Sequence, residues 1–279
     1  MSLATLRDVL EPALKERYAI AGMVTLGWED MAAYVEAAEE EKAPIILQAG
    51  PTCRKHIPLP VLGKMLCHLA EQASIPVVAH LDHGYSYEEC KIALESGFTS
   101  LMFDGSKKSL TQNIDETGLI AELAHSAGIS CEGEIGFVGY ANGDTSDYTN
   151  PKDAARFALE TGVDAMAISV GNIHLLQNEK AHLDEGLITQ IGNCTDLPLV
   201  IHGGSGVSVI QRGRLAHQSS ICKFNIGTEL RMVFGSALRD AVNADLKRFD
   251  RIQILKDTHA PMKLVAQSVI RTLYKKTDN

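Results

Sequence analysis

Polar side chains follow several apolar runs of the sequence, at the point where each run ends. Three of them are histidines, His83, His174 and His202, and each follows a different run. A catalytic zinc ion typically takes three protein ligands and leaves a fourth position for water or substrate, and imidazole is one of its preferred ligands. Asp82 precedes the first of these histidines, and a carboxylate beside a metal can move a proton to or from a bound hydroxyl. The set predicts a zinc site with an acid–base residue next to it.

Nearby residues have other interpretations. His80, on the same face of its run as Asp82, is interpreted as a hydrogen-bonded structural residue. An alternative role for Asp82 is to cap the helix that begins near Tyr87. Lys223 lies inside a run, before Phe224, and is a poor Schiff-base candidate, so the sequence favours metal chemistry over an imine mechanism.

Two glycine-containing segments lead from an apolar run into a predicted helix. Exposed backbone N–H groups and a helix dipole at such a junction bind phosphate without a lysine. The basic run 54–56 is interpreted as a solvated turn, with contact to a distal phosphate or acid as the alternative. The predicted phosphate-binding residues are Gly203, Gly204, Ser205, Asn225, Ile226, Gly227 and Thr228.

Phosphate-binding loops, a Lewis-acid metal and a carboxylate together predict cleavage of a carbon–carbon bond next to a carbonyl. Zinc would polarise a ketone and stabilise the enediolate that cleavage leaves behind. A metal hydrolase on the same scaffold is an alternative, and it would release inorganic phosphate or an acid instead of a triose.

The elements that would position these residues alternate along the chain. Short β-rich runs are separated by segments with helical periodicity, and several runs are apolar throughout, as in a parallel sheet buried on both faces. The predicted strands are Tyr18–Met23, Pro44–Gln48, Pro76–Leu81, Thr99–Phe103, Ile129–Glu134, Asp164–Val170, Leu197–Ile201 and Ile221–Ile226. The clearest predicted helices are Glu29–Lys42, Leu59–Ala73, Tyr87–Ser96, Thr111–Ala127 and Asp153–Thr161.

This order predicts an α/β fold, a (β/α)8 TIM barrel in a single domain over 1–279, with its site at the carboxyl ends of the strands. An extra N-terminal helix (Leu3–Arg17) and a C-terminal helical extension (Pro261–Tyr274) are predicted in addition. An open doubly wound sheet is the alternative, but no GxGxxG motif follows the first strand.

Composition excludes several classes of protein. Of the 279 residues, 45% are hydrophobic and 22% are charged, which is ordinary for a globular protein. The net charge of −9 argues against a nucleic-acid binder. Because there is no run of about 18 apolar residues and no apolar signal-peptide centre, we expect no membrane association. Six scattered cysteines without CxxC spacing are interpreted as reduced core thiols of a cytoplasmic protein.

Taken together, the motifs resemble those of the zinc-dependent class II fructose-/tagatose-bisphosphate aldolases. The resemblance runs from about residue 18 to residue 239 and identifies the chain as a divergent member. It rests on HLDHG (80–84), MFDGS (102–106), EGEIG (132–136), GNIH (171–174), IHGGSG (201–206) and NIGTEL (225–230). It implies reversible cleavage of a ketose phosphate, such as a ketose 1,6-bisphosphate, into dihydroxyacetone phosphate and an aldehyde.

The resemblance also implies roles for single residues. Asp82 would exchange a proton with the aldehyde oxygen, and the three histidines would bind zinc. Asp104 and Glu134 match positions that hold a second, non-catalytic metal in some members, so a second metal or a monovalent cation is expected there. The glycine-containing segments match the residues that bind dihydroxyacetone phosphate. Because the family forms dimers and larger assemblies, a homo-oligomer is expected.

Around the substrate, the sequence departs from the family pattern. Leu175 stands where the family usually has glycine after the second zinc histidine, and Gly50 stands where it has a serine near the phosphate. The first strand, GMVT (22–25), lacks the usual asparagine. These changes favour, as the substrate, a sugar phosphate or sugar acid other than fructose bisphosphate and tagatose bisphosphate.

The mobile loop departs most. The family's GGxED becomes GYANG (139–143), so that Asn142 replaces the glutamate that is thought to move the C–H proton of the donor ketone. Asp144 or Asp147 would have to substitute for it. The alternative is a non-catalytic paralogue that binds a sugar phosphate or a metal.

Overall fold

Eight parallel strands close into a barrel in the computed structural model, which describes residues 2–177 and 181–275. The strands are β1 (Leu3–Ala4), β2 (Ile20–Val24), β3 (Ile45–Ala49), β4 (Val77–Gly84), β5 (Ser100–Phe103), β6 (Ser130–Ile135), β7 (Ala165–Ile168), β8 (Leu199–Ile201) and β9 (Ile221–Ile226). Around the ring, each strand from β2 to β9 pairs with the strand on either side, and the β4–β5 and β2–β9 pairings close it. The predicted fold is therefore confirmed, and the open doubly wound sheet is wrong.

Helices surround the barrel, and side-chain caps set many of their starts. Ser86, Ser109 and Ser208 each accept a backbone N–H three residues further on, which satisfies a donor that the first turn leaves free. The helices are α1 (Leu6–Glu16), α2 (Trp28–Glu41), α3 (Pro51–His56), α4 (Leu59–Gln72), α5 (Tyr87–Glu95), α6 (Leu110–Ser126), α7 (Pro151–Thr161), α8 (Glu185–Gly192), α9 (Val209–Gln218), α10 (Thr228–Ala244) and α11 (Arg251–Tyr274).

Both predicted terminal helices exist, with different bounds. Thr5 caps α1 in a capping box with Asp8, and the preceding residues form β1, which pairs with β4. The C-terminal helix begins at Arg251, well before the predicted Pro261, which lies inside it. Helix α1 packs its apolar face against residues near the starts of the strands, including Ile46 and Val78. It therefore seals the end of the barrel opposite the strands' carboxyl ends.

Two other expectations can be compared with the fold. None of the helices in the described ranges combines the length and hydropathy needed to cross a bilayer. All six cysteines are free thiols, but Cys194 is exposed and Cys67 half-buried, so only four of them are core residues.

Candidate active site

The carboxyl end of β4 carries two of the predicted site residues on a bulge. Its pairing with β5 shifts register between Leu81 and Gly84, and His83 has a left-handed φ of 53°. Strict alternation would send Asp82 and His83 to opposite faces of the sheet, but a bulge re-aims a side chain. Both therefore belong to the same mouth of the barrel.

Arg54 holds this bulge from behind. Its guanidinium donates to the backbone oxygens of Ala49 (2.8 Å), Asp82 (2.6 Å) and His83 (2.8 Å) and pairs with Glu89. Interpreting 54–56 as a solvated turn is thus wrong for Arg54, whose side chain is only 6% exposed. Lys55 and His56 are exposed. Arg54 stabilises a backbone conformation that carries two site residues.

Asp82 is buried among amides and does not cap the next helix. Gln48 Nε2 and Asn225 Nδ2 both donate to its Oδ1, at 2.9 and 3.2 Å, and Ser86 is the residue that caps α5. Burial alone would raise the pKa of Asp82, but nearby charge, led by His83 and His202, outweighs burial and lowers it. A Cβ at Gly50 would lie 3.2 Å from Asp82 Oδ2, so glycine leaves space beside the carboxylate where a serine would stand.

The three predicted metal-binding histidines converge. His83 lies at the carboxyl end of β4, His174 follows β7 and His202 follows β8, and one ring nitrogen of each lies within 4.8 Å of the others. Asn172 joins the last two strand ends, because its amide donates to the backbone oxygens of Ile168 and His202. Burial and the charges of the other two histidines lower the pKa of His174 to about 3. Its imidazole is therefore neutral and able to bind a metal.

Asp104 and Glu134 lie beside the same histidine. With His83 they form a second group whose ligand atoms lie within 4.8 Å of one another. His83 Nδ1 is 2.8 Å from Asp104 Oδ2, and Ser106 donates to the other oxygen of that carboxylate. Because a carboxylate only accepts, His83 donates from Nδ1 and keeps its Nε2 lone pair for a metal.

Two buried atoms at His202 and Glu134 are placed where they could bind a cation. His202 Nδ1 and Glu134 Oε2 are 3.0 Å apart, and within the described ranges neither has a hydrogen-bond partner. Two unpaired acceptors cannot face each other in a buried site without a proton or a cation between them. Burial opposes protonation of His202, but Glu134 and Glu132 raise its pKa to about 10. A metal ion would take the place of that proton.

The two predicted phosphate loops, residues 203–206 and 225–228, are adjacent. Ser205 Oγ accepts from the backbone N–H groups of Gly227 (3.1 Å) and Glu229 (3.3 Å), at the start of α10. Gly203 has φ of 65°, and a Cβ there would lie 2.4 Å from the backbone oxygen of Ile173. Only glycine fits at that point, which keeps the loops close to the segment that carries His174.

The loop 137–148 lies across the histidines. The Tyr140 ring stacks on His174, with centroids 4.9 Å apart, and Ala141 N donates to His174 O at 3.0 Å. Asn142 and Asp147 are exposed. Asp144 is also exposed and pairs with Lys107 at 2.6 Å. In the described part of the chain, neither Asp144 nor Asp147, the two proposed substitutes for the missing glutamate, belongs to a group that could hold a metal.

Leu175 adopts a left-handed backbone conformation, which glycine adopts more readily than any other residue. Its φ is 59° and its side chain is 48% exposed. A left-handed conformation is unfavourable for a leucine by about 1–2 kcal/mol. Leu175 therefore places an exposed side chain directly after His174, in a backbone conformation that glycine would adopt without strain.

Several contributing residues were not predicted from the sequence. Gln48, Arg54 and Tyr140 act through contacts that depend on the closed barrel. Glu132 and Lys223 were visible as charged residues inside apolar runs, a signal that points to a buried ion pair. Lys223 Nζ is indeed 2.6 Å from Glu132 Oε2, and this pairing agrees with the prediction that it is a poor Schiff-base residue.

The fold and site define a closed α/β barrel with three histidines that could hold a metal at one mouth, and known proteins match it. Residues 4–278 match the family described as fructose-bisphosphate aldolase class-II, and the chain belongs to that family. It is 33% identical to a fructose-bisphosphate aldolase of Geobacillus stearothermophilus over 91% of each chain. It is 32% identical to that of Staphylococcus aureus over 97% of each chain. The crystal structure of the YdjI aldolase from Escherichia coli K12 matches with a TM-score of 0.86 and 29% identity, covering 98% of this chain and 97% of that one. The predicted family is confirmed, and membership supports a carbon–carbon lyase.

Proposed function

We propose that this protein is a zinc-dependent aldolase that reversibly cleaves a ketose phosphate into dihydroxyacetone phosphate and an aldehyde. The observation that carries the proposal is the group formed by His83, His174 and His202, whose ligand atoms lie within 4.8 Å of one another. Asp82, a buried carboxylate, precedes the first of these ligands. Three imidazoles with an open position suit zinc.

The metal's contribution would be electrostatic. When bound by the three histidines, zinc would polarise the ketone and offset the negative charge that develops as the carbon–carbon bond breaks. Asp104 and Glu134 would hold a second, non-catalytic metal or a monovalent cation. Because that group shares His83 with the first, the second ion would compete for the same ring.

Asp82 would take the proton from the hydroxyl that becomes the aldehyde and return it in the reverse reaction. Gln48 and Asn225 donate to one oxygen of this carboxylate, so the other is left for the substrate. Since both amide nitrogens point to Asp82, Gln48 Oε1 and Asn225 Oδ1 point away, and in the described structure neither receives a hydrogen bond. Both oxygens are buried and face Gly22, where an added Cβ would lie 2.3 Å from Gln48 Oε1 and 3.0 Å from Asn225 Oδ1.

The loops 203–206 and 225–228 would bind the phosphate through backbone N–H groups, helped by the dipole of the 17-residue helix α10. Ser205 already bonds Gly227 and Glu229, so its hydroxyl would brace the loops. The predicted residues Gly203, Gly204, Ser205, Asn225, Ile226, Gly227 and Thr228 keep this assignment.

The substrate is proposed to differ from the usual ketose 1,6-bisphosphates. Leu175 adds a side chain at the mouth, Gly50 leaves space beside Asp82, and Asn142 cannot act as a base. These three changes lie on the substrate side of the site, whereas the metal-binding histidines are all present. A sugar phosphate or sugar acid with a different aldehyde part fits this pattern.

The test is release of triose phosphate from a panel of ketose 1-phosphates and 1,6-bisphosphates, with and without a chelator. Chelator-sensitive release from any member supports the lyase and begins to name the aldehyde. If zinc is bound and no member is cleaved, the proposed substrate class is wrong. Asn142 and Leu175 favour a second candidate, a non-catalytic sugar-phosphate-binding paralogue, and that result would support it.

We further propose a single domain over 1–279 in a cytoplasmic homo-oligomer without nucleic-acid or membrane partners. Support for the oligomer comes from the α10–α11 connection, where Leu246 and Phe249 are 82% and 93% exposed. Large apolar side chains at such exposure are typical of protein interfaces. Light scattering tests this proposal, because a monomer at micromolar concentration would contradict it.

A further inference from the structure

A chain of buried polar side chains crosses the barrel interior beside the three histidines. Ser100 Oγ is 2.8 Å from His80 Nδ1, and His80 Nε2 is 3.2 Å from Lys223 Nζ. Lys223 Nζ is 2.6 Å from Glu132 Oε2, and Glu132 Oε1 is 3.1 Å from His202 Nε2. All five residues are fully buried. Lys223 thus reaches His202 through one carboxylate.

The direction of each hydrogen bond follows from the lysine. An ammonium group only donates, so His80 Nε2 accepts and His80 Nδ1 donates to Ser100. Lys223 Nζ lies 2.6 Å from Glu132 Oε2, so the lysine donates and Glu132 accepts as a carboxylate. The other carboxylate oxygen can also only accept, so His202 carries its proton on Nε2. The Nδ1 lone pair then faces Glu134 and the other two histidines.

We propose that Lys223 is a positioning residue of the metal centre, which acts through Glu132 to fix the tautomer of His202 and direct its Nδ1 at the metal. This inference rests on the proposed metal site. Carboxylate partners that orient a ligating histidine typically affect metal affinity by 10–100-fold. A fully buried lysine in this barrel therefore has a role that requires no bond to the substrate.

Removing the lysine would release the arrangement. Glu132 would lose the 2.6 Å contact at its Oε2 and would be left as a buried charge without its partner, which is strongly disfavoured in the interior. The carboxylate would no longer be held against His202, so the ring would lose the acceptor that keeps its proton on Nε2 and directs Nδ1 at the metal. Replacing both residues avoids this outcome, because the glutamine side chain that Glu132→Gln introduces carries no charge to leave unpaired.

The double variant also has a defined amide orientation. Glu132 Oε2 lies 3.7 Å from His80 Nε2, which is an acceptor once Lys223 is gone. The amide nitrogen of the new glutamine would donate to His80, so its oxygen would face His202 Nε2 as the carboxylate oxygen does now. The tautomer of His202 is then restored without any charge.

The experiment measures zinc affinity by competition with a chelator, together with thermal unfolding of the metal-free proteins. The variants are Lys223→Met, the double variant Lys223→Met/Glu132→Gln, and Arg271→Met as a control. Arg271 pairs with the buried Glu41 on the outer helices, so its loss perturbs another buried carboxylate away from the metal site. We expect about 10–100-fold weaker zinc binding for Lys223→Met, recovery by at least about tenfold in the double variant, and unchanged affinity in the control.

The outcomes separate the two proposals. If the wild-type protein binds no zinc, the proposed function fails before any variants are compared. If wild type and Lys223→Met bind zinc within threefold of each other, only the role of Lys223 is overturned. If Lys223→Met does not fold, the double variant decides. An affinity within tenfold of wild type supports action through Glu132, and a larger loss overturns it.

Discussion

Replacing Asp82 by asparagine tests the central acid–base assignment with little change in shape. Gln48 and Asn225 donate to Asp82 Oδ1, and an asparagine oxygen can accept both bonds in the same place. An alanine would instead leave two buried amides unpaired, at about 1–3 kcal/mol each. We therefore expect Asp82→Asn to change the free energy of unfolding by no more than about 1 kcal/mol.

The expected loss of activity follows from the role of the carboxylate. General acid–base catalysis contributes about 10²–10⁴-fold, which corresponds to about 2.7–5.4 kcal/mol of transition-state stabilisation. Zinc affinity should stay within about threefold of wild type, because Asp82 belongs to neither of the groups that could hold a metal in the described ranges. The predicted loss is therefore in kcat rather than in metal content.

Two assays separate this role from a general disturbance of the site. The first follows triose-phosphate release from the substrate found in the panel. The second follows exchange of the C3 proton of dihydroxyacetone phosphate with solvent by NMR, a partial reaction that does not use the aldehyde oxygen. We expect Asp82→Asn to lose cleavage and to retain exchange at the wild-type rate. Cleavage within threefold of wild type in a zinc-loaded, folded variant would refute the reasoning.

Three further predictions concern stability and loop contacts. Burial and Lys223 lower the pKa of His80 to about 3, below the ordinary value of 6.5, so its neutral form stabilises the fold above pH 6.5 and that stability is lost as the pH falls towards 3. Around pH 5 this titration makes the free energy of unfolding rise by about 1.4 kcal/mol per pH unit. The unfolding free energy of the metal-free proteins, measured by urea unfolding and plotted against pH, should therefore rise less steeply by that amount in His80→Gln than in wild type. Equal slopes in the two plots would contradict the prediction. Tyr140→Ala removes a stacking contact with His174 worth about 0.5–1.5 kcal/mol, so hydrogen exchange in 137–148 should be about 2–10-fold faster, whereas Tyr140→Phe should match wild type. Leu175→Gly removes left-handed backbone strain of about 1–2 kcal/mol and adds a conformational-entropy cost of about 0.5–1 kcal/mol for glycine, so the unfolding free energy should rise slightly. Calorimetry should also detect tighter binding of inorganic phosphate to this variant. Weaker binding would show that the leucine helps to hold the anion.

The sequence by itself identified the strands and the polar residues that converge at their carboxyl ends. Runs such as Ile45–Ala49, apolar except for Gln48, are buried throughout, and hydrophobic patterning reveals such elements because it depends only on local spacing. Polar residues at the ends of those runs stand out for the same reason. The prediction that His83, His174 and His202 share one mouth needed only the rule that parallel strands end on one side of a barrel.

What the sequence left open depends on contacts between distant elements. The bulge that brings Asp82 and His83 to one mouth is visible only in the β4–β5 register, and Arg54 reaches it through backbone oxygens that have no sequence signature. The pairing of Lys223 with Glu132 joins residues that are 91 positions apart. Their charge states and the histidine tautomers follow from burial and from the direction of each hydrogen bond, and these exist only once the barrel has closed.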